Sequence, residues 1–167
     1  QLWDPFRYGK AEGDTYGILK KGWLGSPDTK EIIMHFLGLL YAVGGDCSCD
    51  FGVSSYPDEL RQEELAIGWT DETKFLGWFD ERNPFRLLNP TSHKTIVSSY
   101  EAAKGWMVVA LNDTSTDETF RISVPEELRK SAFKEHITQQ TASVTAEGTL
   151  ELVVPAFCAR FIIVKTE

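Results

Sequence analysis

The residues best suited to chemistry lie in one short stretch that follows a predicted helix. Residues Gly45 to Gly52 read Gly-Asp-Cys-Ser-Cys-Asp-Phe-Gly. Asp46 and Asp50 could place two carboxylates at a cleft, and two carboxylates that face each other across a bond can hydrolyse it by acid/base chemistry. Aspartates among small residues also cap turns, and that role is the more common one. The spacing alone leaves both roles open.

Metal binding is the second chemistry that this stretch suggests. Cys47 and Cys49 are too close for an easy mutual disulfide, but a Cys-x-Cys pair could ligate a metal. A tetrahedral site needs further ligands, and the sequence supplies neither a second pair nor a nearby histidine. Cys158 lies in a predicted strand, and the histidines are scattered at His35, His93 and His136. We therefore expect buried or free thiols, no metal and no cofactor.

Aromatic side chains form the third candidate set. The first 25 residues combine many glycines with Trp3, Phe6, Tyr8, Tyr16 and Trp23. A loop of this kind either packs on a larger body or lines a platform on which the CH groups of a sugar stack, and burial is the more common outcome. Trp69, Trp78 and Trp106 are further candidates for an exposed platform. We take Trp23, Asp46 and Asp50 as the candidate substrate-binding residues.

Composition limits the class of protein and the class of partner. The chain has 167 residues, 42% of them hydrophobic and 12% aromatic, which suits one domain with a real core. Its net charge is −8 and no basic run interrupts the acidic excess, so we expect no nucleic-acid partner. No stretch approaches the roughly 18 apolar residues of a membrane span, so we expect no membrane partner. Because the chain begins Gln-Leu-Trp, we expect a product of processing or a piece of a longer protein.

Helical patterns dominate the first half. Ser26-Pro27-Asp28 is a good helix start, and Gly44-Gly45 is a good helix end, so a helix is predicted from Pro27 to about Val43. This helix has little polar face and needs a second packing partner. A second helical stretch starts at Ser55 and is predicted to continue, with a break at Gly68, to about Phe79. Its acidic residues are predicted to form a solvated face: Glu59, Glu63 and Glu64.

Strand patterns dominate the second half. Thr95 to Leu111 is predicted to be a hairpin around Ala103-Lys104-Gly105. Its returning strand is apolar on both faces, which predicts a central strand covered on both sides. A short helical turn at Pro125 and further strands follow, with predicted bounds Phe120–Val124, Lys134–Thr138, Thr149–Val154 and Phe157–Lys165. Short strands at this spacing predict an antiparallel β-sandwich over 83–167, after a helical or irregular segment over 1–82. The predicted fold class is α+β.

The order of these features resembles the C-terminal part of a retaining-type glycoside hydrolase of the α-galactosidase-like group. The matching features are Ile32–Val43, the loop Gly44–Gly52, the helix start Ser54–Glu59, Asn83-Pro84, the Lys-Gly-Trp-Met-Val-Val-Ala-Leu-Asn-Asp hairpin, and the closing Leu-Val-Val-Pro-Ala-Phe and Phe-Ile-Ile-Val strands. Members of that group have a catalytic (β/α)8 barrel followed by a small antiparallel β-sandwich. A barrel takes about 250 residues, so 1–82 would be only its end. The group's catalytic carboxylates lie on earlier barrel strands, and no catalytic residue is assigned here.

The resemblance implies the C-terminal portion of a glycosidase, inactive alone, whose sandwich stabilises the barrel and shapes its rim. The implied partners are an oligosaccharide or glycan substrate and the remainder of a longer chain or a partner subunit. It also implies a secreted or periplasmic location. The alternative is a free-standing carbohydrate- or protein-binding module, with tryptophans as its stacking surface. A small enzyme built on Asp46, Asp50 and a histidine is a third hypothesis, although the sequence lacks a nucleophile motif or a phosphate loop.

Overall fold

The computed structural model describes residues 29–45 and 56–166. The larger of the chain's two compact units, Glu31–Glu167, contains all of these residues except Thr29 and Lys30. The predicted start of the first helix at residues 26–28 lies outside the described residues. Within the described part of the chain, no helix combines the length and the apolar character that a membrane crossing requires.

The first helix, α1, spans Thr29–Ala42 and ends as predicted. Gly44 adopts a left-handed φ of 86°, which glycine reaches without a steric penalty. Its N–H donates to the carbonyl of Tyr41 at 3.3 Å, and the N–H of Gly45 donates to the carbonyl of Leu40 at 2.9 Å. This pair of bonds is a Schellman motif, which satisfies carbonyls that the helix itself leaves unpaired.

The second helix, α2, spans Tyr56–Ala66 and is shorter than predicted. The chain breaks at Gly68, where φ is 75°, but it does not resume a helix toward Phe79. Instead Lys74–Leu76 forms strand β1, which pairs antiparallel with β2, Thr95–Ala102. The prediction of a helix there was wrong because a short apolar run does not distinguish a helix from a strand.

The strands form two antiparallel sheets. In the first sheet the order is β1-β2-β3-β8-β5-β6, and the second consists of β4 and β7. The remaining bounds are β3 Gly105–Asn112, β4 Glu118–Ser123, β5 Phe133–Glu135, β6 Thr141–Ala142, β7 Thr149–Val154 and β8 Cys158–Lys165, with a short 3-10 helix at Glu126–Leu128. The predicted hairpin is confirmed as β2 and β3, and the α+β class is confirmed. After that hairpin, β4 crosses to the second sheet instead of extending the first.

Two hydrophobic cores lie on opposite faces of the first sheet. Side chains alternate along a strand, so Met107 and Val109 of β3 face the core shared with the helices, whereas Val108 and Ala110 face the core shared with the second sheet. These residues are fully buried. The predicted burial of this strand on both sides is therefore confirmed, and it explains why β3 is apolar throughout.

The first sheet is the packing partner of α1. The helix contributes Met34, Leu37, Leu40, Tyr41 and Ala42 to the core on the face of this sheet that is opposite the second sheet. Gly38 brings the helix close to β8, because a Cβ at that position would overlap the Cβ of Ala159. For the described part of α1, the partner that its apolar sequence requires is thus within the chain.

Candidate functional site

The predicted substrate-binding residues Trp23, Asp46 and Asp50 lie outside the described residues. The structure does define where the segment with the two aspartates begins. The hydroxyl of Tyr100 on β2 donates to the carbonyls of Tyr41, at 2.6 Å, and Gly45, at 3.1 Å. These bonds fix the end of α1 to the first sheet immediately before residue 46.

An exposed aromatic pair lies in the connection between β1 and β2. The rings of Trp78 and Phe79 meet edge to face, with centroids 4.9 Å apart and planes at 83°. Trp78 is 42% exposed and Phe79 is 69% exposed. We call these two residues the aromatic pair. It is the one place in the described residues where a tryptophan is exposed to this extent.

The other two described tryptophans pack inward. Trp69 lies beside Tyr100, with ring centroids 4.8 Å apart, at the edge of the core under the helices. Trp106 contacts Phe85 edge to face at 5.5 Å in the other core. Of the tryptophans predicted as platform candidates, the described residues therefore leave Trp78.

A buried asparagine holds the loop that carries the aromatic pair. The side-chain amide of Asn83 donates to the carbonyls of Gly77, at 3.4 Å, and Val97, at 3.2 Å. Its carbonyl oxygen accepts hydrogen bonds from the N–H of Phe85 and the hydroxyl of Ser99. Because Asn83 is 2% exposed, losing these bonds would leave buried polar groups unpaired. The asparagine ties both ends of the loop to β2.

Two arginines hold the outer side of the same loop. The guanidinium of Arg82 binds both carboxylate oxygens of Asp80 at 3.0 and 2.8 Å, and Arg86 donates to the carbonyls of Asp80 and Glu81. The hydrogen bonds from Arg82 lower the pKa of Asp80 to about 2. The Asp80 carboxylate therefore keeps its charge to a lower pH than an ordinary aspartate does.

A single hydroxyl connects the aromatic pair to the end of α1. Ser98 Oγ donates to the carbonyl of Ala42 at 2.8 Å and accepts the backbone N–H of Trp78 at 3.2 Å. Val43, the next residue after Ala42, is 47% exposed. The chain thus leaves α1 toward Asp46 next to the backbone of the exposed tryptophan.

A second cluster joins three distant parts of the chain. His35 Nε2 on α1 lies 3.1 Å from Asp113 Oδ1, after β3, and the ring of Phe157 contacts the imidazole at a centroid distance of 6.0 Å. Burial lowers the pKa of His35, and the Asp113 carboxylate, which raises it, offsets this only in part. Phe157 is half exposed and has a φ of 47°, an uncommon conformation for a non-glycine residue.

One predicted solvent-facing acid is buried. Glu64 is fully buried, with Tyr41 donating to Oε1 at 2.6 Å and Arg61 donating to Oε2 at 2.7 Å. Glu63 pairs with Lys134 of β5 at 3.1 Å, and Glu59 is exposed as predicted. The prediction of a solvated face was wrong for Glu64 because its partner Tyr41 is 23 residues away, beyond the reach of a local pattern. These contacts dock α2 on α1 and β5.

The described residues show no group of three or more histidine, cysteine, aspartate and glutamate side chains that could hold a metal ion. Cys158, at the start of β8, is fully buried, and Arg160 Nη1 lies 3.1 Å from its Sγ. Cys47 and Cys49 lie outside the described residues.

No known family profile matches the sequence, and no curated protein matches it. Solved structures do share its fold. The α-amylase from Anoxybacillus aligns with a TM-score of 0.50 and 12% identity over 74% of this chain and 24% of its own. The α-galactosidase I from Mortierella vinacea aligns with a TM-score of 0.50 and 13% identity over 89% of this chain and 39% of its own. An α-amylase from Geobacillus thermoleovorans, complexed with acarbose, aligns with a TM-score of 0.42 and 16% identity over 52% of this chain and 19% of its own.

At this identity the likeness shows the fold. The chain spans about a quarter of the Anoxybacillus enzyme and about two fifths of the Mortierella enzyme. The resemblance to a part of an α-galactosidase-like glycoside hydrolase, predicted from the order of the sequence features, is confirmed at the level of fold.

Proposed function

We propose that the chain is the C-terminal portion of a carbohydrate-active hydrolase, with residues 83–167 as a sandwich that stabilises a catalytic barrel and shapes its rim. The observation that carries this proposal is the alignment of 89% of the chain with part of an α-galactosidase. A shared fold hosts many activities, so the proposal needs a test of the chemistry as well.

In this proposal, residues 1–82 are the end of the barrel, and the substrate is an oligosaccharide or glycan. The boundary near residue 82 stays a prediction, and it runs between the paired strands β1 and β2. Trp23, Asp46 and Asp50 remain proposed substrate contacts. In this proposal cleavage belongs to carboxylates on earlier strands of the barrel, so we expect the isolated chain to be inactive.

The test begins with the coding region upstream of Gln1. We expect several hundred residues of alternating strand and helix patterns, as a (β/α)8 barrel requires. The longer protein should hydrolyse aryl glycosides, and the same protein without residues 83–167 should have a lower melting temperature.

Two results would overturn the proposal. A start codon directly before Gln1 would make the chain complete and would favour a free-standing binding module. Hydrolysis of aryl glycosides by the isolated 167-residue chain, at rates equal to those of the longer protein, would place the catalytic residues in this chain.

A further inference from the structure

We infer that the aromatic pair Trp78–Phe79 is a binding site for a saccharide, an inference that rests on the carbohydrate class of the proposed function. Sugars present apolar CH faces that stack on aromatic rings and hydroxyl groups that need charged or polar partners. The connection between β1 and β2 offers both kinds of group within a few residues.

Hydrogen bonds fix the backbone of the loop that carries the two exposed rings. The N–H of Asp80 donates to the carbonyl of Gly77 at 2.9 Å, and the N–H of Asn83 donates to the carbonyl of Asp80 at 3.0 Å. Together with the buried amide of Asn83, these bonds fix the backbone on both sides of the rings. Binding to a preorganised surface costs less conformational entropy, because the protein does not have to become ordered when the ligand binds. This arrangement is typical of a binding surface rather than of a frayed loop.

Charged groups in the same loop as the rings favour a saccharide over an apolar partner. The Arg82 guanidinium binds Asp80 through Nε and Nη2, and it is 80% exposed, so its other N–H groups face solvent. A planar guanidinium with fixed donors, next to the Asp80 carboxylate, suits the donors and acceptors of sugar hydroxyls. A covering protein segment would have to desolvate this ion pair, which is costly without matching partners.

The aromatic pair lies close to the end of α1. Ser98 Oγ links the Trp78 backbone to the carbonyl of Ala42, three residues before Gly45. A saccharide on the aromatic pair would therefore lie near the end of α1.

The test measures saccharide binding by calorimetry on the 167-residue chain, with maltotriose and raffinose as probes. We expect Trp78→Ala and Phe79→Ala each to weaken binding by about tenfold or more, as truncation of a central anchor does. Trp78→Phe keeps a ring and should retain most of the affinity. Leu88→Ala is the matched control, because Leu88 is also apolar and 52% exposed but lies outside the aromatic pair. Equal melting temperatures would show that the variants are folded.

Three outcomes would overturn the inference. The first is the absence of binding of either probe by the unaltered chain. The second is an equal loss of affinity in Trp78→Ala and Leu88→Ala. The third is binding to the 167-residue chain but not to the longer protein, which would show that the rest of the protein covers the pair. Hydrolysis by the longer protein is measured separately, so failure of the binding site and failure of the proposed function are distinguishable.

Discussion

Replacement of Gly38 by alanine tests how closely α1 packs on the first sheet. Gly38 lies within the helix, where alanine is normally the better residue by about 1 kcal/mol. In this structure a Cβ at position 38 would overlap the Cβ of Ala159 and would lie 3.3 Å from Leu111 Cδ1. The gain in helix propensity and the steric cost therefore have opposite signs.

The steric cost should be the larger effect. Ala159 is fully buried in β8 and is paired with Leu111 of β3, so its side chain and backbone have little space to move away. Overpacking of a tight core costs about 1–3 kcal/mol, and we expect the upper part of that range, about 2–3 kcal/mol, because the helix and the strand would both have to shift. After the propensity gain is subtracted, we expect Gly38→Ala to lower the free energy of unfolding by about 1–2 kcal/mol.

Urea unfolding of four proteins would measure this effect: the unaltered chain, Gly38→Ala, Ala159→Gly and the double variant. With a slope of about 2 kcal/mol per M, the midpoint of Gly38→Ala should fall by about 0.5–1 M. The double variant removes the obstructing methyl group, so the two changes should be coupled by at least about 1 kcal/mol. A Gly38→Ala chain that is more stable than the unaltered chain, with additive effects in the double variant, would refute the close packing of α1 on β8.

Three further predictions concern polar groups, and each has its own measurement. The buried side-chain amide of Asn112 donates to three backbone carbonyls, which a carboxylate would repel. Asn112→Asp should therefore lower the free energy of unfolding in urea by about 3 kcal/mol or more. A loss under about 1 kcal/mol would contradict this. The pKa of His35 is lowered in the folded state, so the folded chain binds fewer protons than the unfolded chain, and its stability should fall as the pH drops below the ordinary pKa of 6.5. The thermal midpoint of His35→Gln should therefore depend less on pH between about pH 5 and 8 than that of the unaltered chain. An identical pH dependence would contradict the prediction. The carboxyl carbon of Asp80 should titrate by NMR at about 2 and move toward its ordinary pKa in Arg82→Ala, and an unmoved titration would contradict the assigned cause.

Local sequence patterns were sufficient for the elements whose contacts are themselves local. The hairpin of β2 and β3 follows from alternation around a glycine turn, and its register runs from Thr95 opposite Asn112 to Ala102 opposite Gly105. The end of α1 follows from the Gly44-Gly45 pair, since both of its capping bonds reach back only a few residues. In these places the residue type and the conformation are determined by the same short segment.

Contacts between distant residues explain the predictions that were wrong. Lys74–Leu76 becomes a strand because β2, some twenty residues later, offers a free edge. Glu64 is buried because Tyr41 of another helix donates to it. No window of a few residues contains these partners, so periodicity alone gave the wrong environment for both segments.

The candidate site shows the same limit for individual tryptophans. Trp69 and Trp78 lie in similar segments, Gly-Trp-Thr-Asp-Glu and Gly-Trp-Phe-Asp-Glu, so the local sequence does not predict which ring is exposed. The N–H of Trp69 donates to the carbonyl of Glu64 at 3.0 Å, which turns this ring back toward the helices. The N–H of Trp78 donates to Ser98 Oγ, and the carbonyl of Gly77, just before it, accepts a hydrogen bond from the buried side chain of Asn83. With its backbone held in this way, the Trp78 ring remains at the surface. The polar partners of the backbone, rather than the aromatic residues themselves, thus determine which tryptophan is available to a ligand.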